Sequence, residues 1–434
     1  MSLEKYFCSS PWFHMTILND GSYSFCRWST SPDKLPHKTD KIQNQHPIQW
    51  FQNSSEMAGV RKKFLNNESY SFCQDCTLME KHKKVSGREK QLLKTGIDST
   101  NFEKTFLSSS WIKPFKQSYY SKGHTDQYPI DWQINLGNFC NSGCVFCHPS
   151  VSSKLASDFR TIGILNHDPI RSWTDDTESF DKFLDTISMI PNIRYLHFIG
   201  GEPLFMPTFK TILKNLIKQN RNKSITIGFT TNLTIYNQEI VDLLENFDVH
   251  IGLSIECLDE LNDYVRYGSK INQVKENLNH FVELSKKNNW TCSIRTTPTF
   301  LTVRNLLPLY QYALDNKVHI ESCNFLSSPE IFKPSVLPEP YKSHFIKEMS
   351  NWILSQSQVT RTEKRNINTR SNYLVEQTIL QDAESYLNYF KKEKDESFLL
   401  PKSLEFLKKL EKIRNNKILD YLPEYEEIFR TAGY

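Results

Sequence analysis

Residues 131–148 read DWQINLGNFCNSGCVFCH: a strand candidate, DWQINLG at 131–137, then three thiols and an imidazole within nine residues. The loop supports more than one metal reading. Cys140, Cys144 and Cys147 form C-x3-C-x2-C, three corners of an iron–sulfur cube. Cys144 to His148 also form C-x2-C-H, the pattern of a c-type haem attachment site. The haem reading leaves Cys140 without a role. A structural zinc ion needs a fourth ligand, and His148 directly follows Cys147, an awkward place from which to close a tetrahedron. Three thiolates on a cube leave the fourth iron open, and an open metal position is where a substrate or cofactor coordinates.

Composition narrows the setting. A chain of 434 residues suggests two or three domains, and 38% hydrophobic with 13% aromatic residues is enough for a sizeable core. The net charge of +4, from 53 basic and 49 acidic residues, is a solvated surface and not a nucleic-acid signature. No signal peptide and no long apolar run is seen, so the expected location is the cytoplasm, without a membrane partner. In that reducing compartment ten cysteines read as metal ligands or reactive thiols, not disulfides. Covalent haem attachment belongs to exported proteins, which weighs against that reading of the loop.

Downstream of 131 the chain alternates strand and helix signals. After 131–137 come strand candidates IRYLHFIGG (193–201), SITIGFTTN (224–232), VHIGLSIE (249–256), TCSIRTTP (291–298) and VHIESCNFL (318–326). Helical spacing lies between them: Phe209, Ile212, Leu213, Leu216 and Ile217; Val274, Leu278, Phe281 and Val282; Leu306, Leu309, Tyr310, Ala313 and Leu314, with Pro308 tolerable in a first turn. Six βα units imply a parallel sheet with helices outside, either doubly wound or a full or partial barrel. In both, chemistry gathers at the C-terminal strand ends. Residues 1–125 read as irregular, aromatic-rich and carrying four cysteines. Residues 335–434 read as helical, with Leu404, Leu407, Leu410 and Ile413 at three-residue spacing. The charge runs FKKEKDE and LKKLEKIRNNK read as solvated helix faces.

The cysteine loop after the first strand of a βα series, with Phe146 before its last thiol, resembles the radical S-adenosylmethionine (radical SAM) superfamily. The resemblance implies a 4Fe–4S cluster on Cys140, Cys144 and Cys147 whose open iron is chelated by S-adenosyl-L-methionine. Electron transfer then splits the sulfonium to a 5′-deoxyadenosyl radical that abstracts a substrate hydrogen. Gly200-Gly201-Glu202-Pro203, closing the second strand, matches the family's GGEP motif, which implies that Glu202 holds the methionine amino group. Two glycines allow close backbone approach, and a carboxylate suits an ammonium. Asn232 in TTN (230–232) and Ser254 and Glu256 in SIE (254–256) resemble polar strand-end positions near cofactor and substrate. Arg266 resembles an arginine that meets the methionine carboxylate, with Arg295 as a second candidate. The plain alternatives are local backbone satisfaction at the strand ends and a surface ion pair for Arg266.

A second thiol set is N-terminal. Cys8, Gly21 and Cys26 form C-x12-G-x4-C, and Cys73-x2-Cys76 follows. This resembles the twitch, or half-SPASM, auxiliary-cluster module of the same superfamily, which implies a second 4Fe–4S cluster with all four corners filled. Here the module precedes the barrel. A zinc-ribbon-like site is the generic alternative. CSSPW and DGSYSFC are candidates for a hairpin carrying the first two thiols. Cys257 and Cys323, near strand ends, are candidate hydrogen donors to a substrate radical, against the plain reading of small core residues.

The expected protein therefore has an auxiliary module at 1–125, a partial (β/α)6 TIM-like barrel at 126–334 and a helical region at 335–434. The resemblance implies hydrogen abstraction followed by oxidation or crosslinking of a peptide or protein, served by a flavodoxin- or ferredoxin-type reductant. Dehydrogenation or epimerisation of a sugar or aminocyclitol is the alternative. Outside radical chemistry stand an electron-transfer iron–sulfur protein and a zinc-binding module.

Overall fold

Asp131, Gln133 and Asn135 on one side of their strand, and Trp132 and Ile134 on the other, set the pattern of the sheet. The apolar side packs on helices: Trp132 meets Phe183 of helix Thr177–Met189, and Phe198 and Phe229 meet Phe209 of helix Pro207–Lys218. The computed structural model describes residues 5–28, 40–81, 85–166, 171–322, 326, 328–363 and 370–434.

Its strands are β1 (His14–Ile17), β2 (Tyr23–Ser24), β3 (Asp131–Asn135), β4 (Gly143–Cys144), β5 (Tyr195–Ile199), β6 (Thr226–Thr231), β7 (Asp248–Ser254), β8 (Arg266–Tyr267), β9 (Thr291–Arg295) and β10 (His319–Glu321). Eight form one mostly parallel sheet in the order β10-β9-β7-β6-β5-β3-β1-β2, and β4 with β8 forms a separate antiparallel ribbon. The six expected strands are β3, β5, β6, β7, β9 and β10, each ending earlier than its apolar run. They follow one another in chain order without reversal. A doubly wound sheet reverses at a switch point, so that alternative is set aside. The three expected helices lie at Pro207–Lys218, Ile271–Asn288 and Leu306–Asn316, the last with Pro308 in its first turn.

The N-terminal region departs from expectation. Instead of irregular chain it holds short helices at Pro47–Asn53, Ser55–Leu65, Gln74–Lys81, Gly87–Lys94, Phe102–Ser108 and Ile112–Tyr120. Helices this short show too little period to be read from sequence. Their caps are local: Ser54 Oγ accepts from Met57 N–H, and Ser86 with Glu89 forms a capping box before Gly87–Lys94. A hairpin is present, but its first strand is β1, beyond CSSPW, whose Ser10–Trp12 forms a 3-10 turn; only DGSYSFC contributes as expected, through β2, with Gly21 at φ +87° in the turn. The strand β1 also joins the main sheet, running parallel to β3.

By its internal contacts the chain forms two compact units, Met1–Phe139 with Ile170–Phe229 and Gln238–Val249, and Cys140–Pro169 with Thr230–Asn237 and His250–Tyr434. The first has an aromatic core in which Phe7, Trp12 and Phe115 lie 5.0–5.6 Å apart. The second includes the expected C-terminal helices, Tyr341–Glu363, Arg370–Lys392, Leu400–Arg414 and Glu426–Thr431. No helix among the described residues is long and apolar enough to cross a membrane.

The register of β1 on β3 is fixed by charge. His14 lies opposite Asp131 and donates from Nδ1 to its carboxylate at 2.9 Å, while Arg27 and Lys94 also reach that carboxylate. Burial alone would raise the Asp131 carboxyl, but Arg27, His14 and Lys94 outweigh it and hold it well below the usual carboxylate range. Burial pushes His14 down to about 4, so it stays neutral at pH 7. Asp131→Asn leaves two cations around a neutral amide, and it is expected to cost about 3 kcal/mol in denaturant unfolding. A change below about 1 kcal/mol would show that the cluster does not hold β1 in place.

Candidate iron–sulfur site

In the second unit the loop after β3 is built around its thiols. Cys140 begins it: its N–H donates to Ser153 Oγ at 3.2 Å, and Asn232 Nδ2 points at its sulfur at 3.9 Å. Asn232 also donates to Asn141 Oδ1 (3.0 Å) and Ser142 Oγ (3.1 Å), so one strand-end amide spans the start of the loop. Cys144 is buried in β4, which pairs with β8 so that Cys144 faces Arg266. Arg266 Nη1 lies 3.9 Å from the Cys144 sulfur, and the guanidinium lies 5.7 Å from the Phe146 ring centre. Cys147 N–H donates to Cys144 O at 3.1 Å, closing a turn, and the Cys147 thiol feels the charge of Cys144. His148 is used locally, with its Nδ1 accepting from Ser150 N–H.

Arg266 is not the surface ion pair that sequence allows. Its Nε and Nη2 both reach Glu256 Oε1, at 3.2 and 2.6 Å, and both residues are buried. The other Glu256 oxygen accepts from Thr296 Oγ1 (2.6 Å) and Thr297 N–H (2.7 Å). The charge is therefore compensated and the arginine is fixed over the cysteine loop. Ser254 ends β7 opposite Arg295 of β9, and Arg295 Nη1 donates to Thr230 Oγ1 at 3.1 Å.

The donor set fits an iron–sulfur cluster. Burial raises the Cys144 thiol and pushes Cys147 up to about 12, so these groups stay protonated until a cation compensates them. N–H donors stand beside two of the sulfurs, as cluster thiolates require. Among the described residues no three His, Cys, Asp or Glu side chains are gathered as a metal site.

In the first unit Gly200 and Gly201 have φ of +86° and +55°. A Cβ on Gly200 would stand 1.6 Å from Asn135 Oδ1, and one on Gly201 would stand 2.1 Å from Phe139 O. Glu202 N–H donates to Phe139 O at 3.0 Å, and its buried carboxylate accepts from Leu204 N–H at 3.1 Å. Pro203 is buried in the short turn Pro203–Phe205, and Phe205 stacks on Phe139 at 4.9 Å. The GGEP turn thus packs on the residue that immediately precedes Cys140.

The N-terminal thiols also lie in this unit. Cys8 lies within electrostatic reach of Cys73 and Cys76, and Cys73 within reach of Cys26 and Cys76. Burial raises the thiols of Cys8, Cys73 and Cys76. The Arg88 backbone N–H bonds Cys76, and its side chain pairs with Glu80 at 2.8 and 2.9 Å. Of the remaining cysteines, Cys257 and Cys292 are buried, Cys257 completely, and Cys323 lies outside the described residues. Asn135, Asn141 and Ser142 carry no local sign of their contacts, because their partners Gly200 and Asn232 lie far along the chain.

Residues 134–311 match the model of a family described as the Radical SAM superfamily. The uncharacterized protein MJ0907 of Methanocaldococcus jannaschii is 27% identical over 136 residues, which is 31% of this chain and 40% of that protein. Among solved structures, SuiB of Streptococcus suis bound to S-adenosylmethionine aligns over 81% of this chain and 71% of its own, at 14% identity and a TM-score of 0.37. The structure of anSMEcpe with bound AdoMet aligns over 44% of this chain and 51% of its own, at 19% identity and a TM-score of 0.35. The chain thus spans 40% of the curated relative's length and about half of anSMEcpe's.

The close approach at Gly200 has a measurable consequence. Gly200→Ala is expected to lower stability by about 2 kcal/mol, from positive φ and the clash with Asn135. Gly59→Ala, in helix Ser55–Leu65 with nothing within 4 Å of the new methyl, is expected to be neutral or stabilising by up to about 1 kcal/mol. Thermal unfolding of the two variants checks the contrast.

Proposed function

We propose that this protein is a radical SAM enzyme. Cys140, Cys144 and Cys147 hold a 4Fe–4S cluster with one open iron, and Cys8, Cys26, Cys73 and Cys76 hold a second cluster with none. The observation that carries the reading is the C-x3-C-x2-C loop with its sulfurs faced by Asn232 and Arg266, in a segment that matches the superfamily model. When loaded, such a pair supplies one-electron chemistry: a hydrogen-abstracting 5′-deoxyadenosyl radical from S-adenosylmethionine at the first and an acceptor for one electron at the second.

The chain's own residues supply placement. Asn232 and the β4–β8 ribbon hold the thiols, and Glu256 holds Arg266. Glu202 is the anionic partner for the methionine ammonium, its carboxylate anchored by the Leu204 N–H. Burial around Cys144, Val145 and Glu256 keeps water from the site. The four-thiol N-terminal set supports net oxidation, so the outcome is dehydrogenation or crosslinking, with a peptide or protein as substrate. The C-terminal helices offer a surface for a chain. A flavodoxin- or ferredoxin-type protein delivers the first electron, in the cytoplasm. A redox-neutral epimerisation has Cys257 as its candidate donor, and that thiol is fully enclosed.

Anaerobic reconstitution followed by reductant and S-adenosylmethionine is expected to yield 5′-deoxyadenosine, and Cys147→Ala is expected to abolish it. Iron-free wild-type protein, or intact S-adenosylmethionine after reduction, would sink the proposal. Cys73→Ala combined with Cys76→Ala is expected to halve the iron content and keep 5′-deoxyadenosine formation while losing oxidised product. Product formation that survives loss of the second cluster removes its electron-accepting role.

A further inference from the structure

Arg414 is the last residue of helix Leu400–Arg414, inside the charge run LKKLEKIRNNK. Lys408, Lys409 and Lys412 of that run face solvent as expected, but Arg414 is only 7% exposed. Its Nη2 donates to Gly143 O at 2.7 Å and to Asp158 Oδ2 at 2.7 Å, and its Nε reaches the same Asp158 oxygen at 3.0 Å. Its guanidinium lies 4.5 Å from the Tyr267 ring centre. Gly143 and Tyr267 face each other across the β4–β8 ribbon, and the ribbon's other pair is Cys144 and Arg266. One guanidinium therefore touches both strands that hold the middle cysteine.

The contact is close enough to constrain the sequence between the first two thiols. A Cβ on Gly143 would stand 2.9 Å from Arg414 Nη2 and 3.2 Å from Asp158 Oδ2. The preceding turn of the same helix fastens the other end of the ribbon. Glu411 accepts from Tyr264 O–H at 2.8 Å, just before β8, and from Ile418 N–H and Tyr434 O–H at 2.7 and 2.8 Å. Arg414 and Arg266 are the two cations whose charge is felt at the Cys144 thiol.

We propose that Arg414, charge-balanced by Asp158, is a positioning residue for the reactive cluster: it sets the placement of Cys144 through Gly143 and raises the potential at which the cluster is reduced. The inference rests on the functional reading above. Reduction adds one negative charge to the cluster. A nearby cation stabilises that state, and burial strengthens the effect. Removing Arg414 leaves Asp158 buried and unpaired beside the ribbon, a net change of one negative charge. Removing the Asp158 charge leaves Arg414 uncompensated, a change of the opposite sign. Loosening of the ribbon alone has no such sign.

The test is a redox titration followed by electron paramagnetic resonance, on the cluster whose signal changes when S-adenosylmethionine is added. Arg414→Gln is expected to make that midpoint potential more negative, and Asp158→Asn to make it less negative. Arg414→Lys, which keeps the charge, is expected to stay near wild type. Gly143→Ala, which pushes the guanidinium away, is expected to shift as Arg414→Gln does. Iron content is measured on every sample. Shifts of the same sign in Arg414→Gln and Asp158→Asn, or no shift in either while iron is retained, overturn the inference. If Arg414→Gln fails to hold iron, Asp158→Asn decides alone: an unchanged or more negative potential overturns it. Wild-type protein that takes up no iron sinks the functional reading and this inference with it, whereas unshifted potentials in loaded variants sink the inference alone.

Discussion

Three thiols spaced over eight residues cannot hold a geometry by themselves, because loop backbone has no regular hydrogen-bond ladder to fix it. The two-residue pairing of β4 with β8 removes that freedom here. It places Cys144 opposite Arg266, more than a hundred residues later, and turns a flexible loop into the edge of a ribbon. Gly268, at φ +101° and with a would-be Cβ only 2.6 Å from Asn141 O, lets the chain leave β8 close against the loop. Asn232 adds a third support from the end of β6.

That ribbon brings charge into a buried place, and each charge is balanced. Glu256 compensates Arg266 and Asp158 compensates Arg414, while in the first unit Asp131 draws in Arg27, Lys94 and His14. Buried ion pairs of this kind add little net stability over apolar packing, since desolvation consumes most of the Coulomb gain. What they give is geometry, because a guanidinium with two or three fixed acceptors has few orientations left. Two of the cations, Arg266 and Arg414, also stand beside the buried Cys144 thiol. Buried thiols resist losing a proton, and fixed cations lower that resistance at chosen sulfurs.

Glycine does comparable work by lacking a side chain. At Gly200 a side-chain oxygen, at Gly201 a backbone carbonyl and at Gly143 a guanidinium occupy space that any Cβ would claim. Two of these belong to a motif that can be recognised in the sequence, and their left-handed backbone explains why glycine is needed there. Gly143 has no such local sign, since its constraint comes from a helix more than 250 residues away.

The sequence by itself determined the strand series and the long helices, and it set the cysteine spacing. Their signals, alternation, helical period and cysteine spacing, are local, and the strands and the helices between them stand where those signals put them. It did not determine the short N-terminal helices or β1, which are too brief to show a period and depend on tertiary packing. Nor did it show which charges are buried. Arg266 and Arg414 look like surface residues in their own neighbourhoods, and Glu411 sits in a run of solvated lysines. Only the tertiary structure decided that they face the cysteine ribbon, because a charge's energy depends on what surrounds it in space and not on its neighbours along the chain.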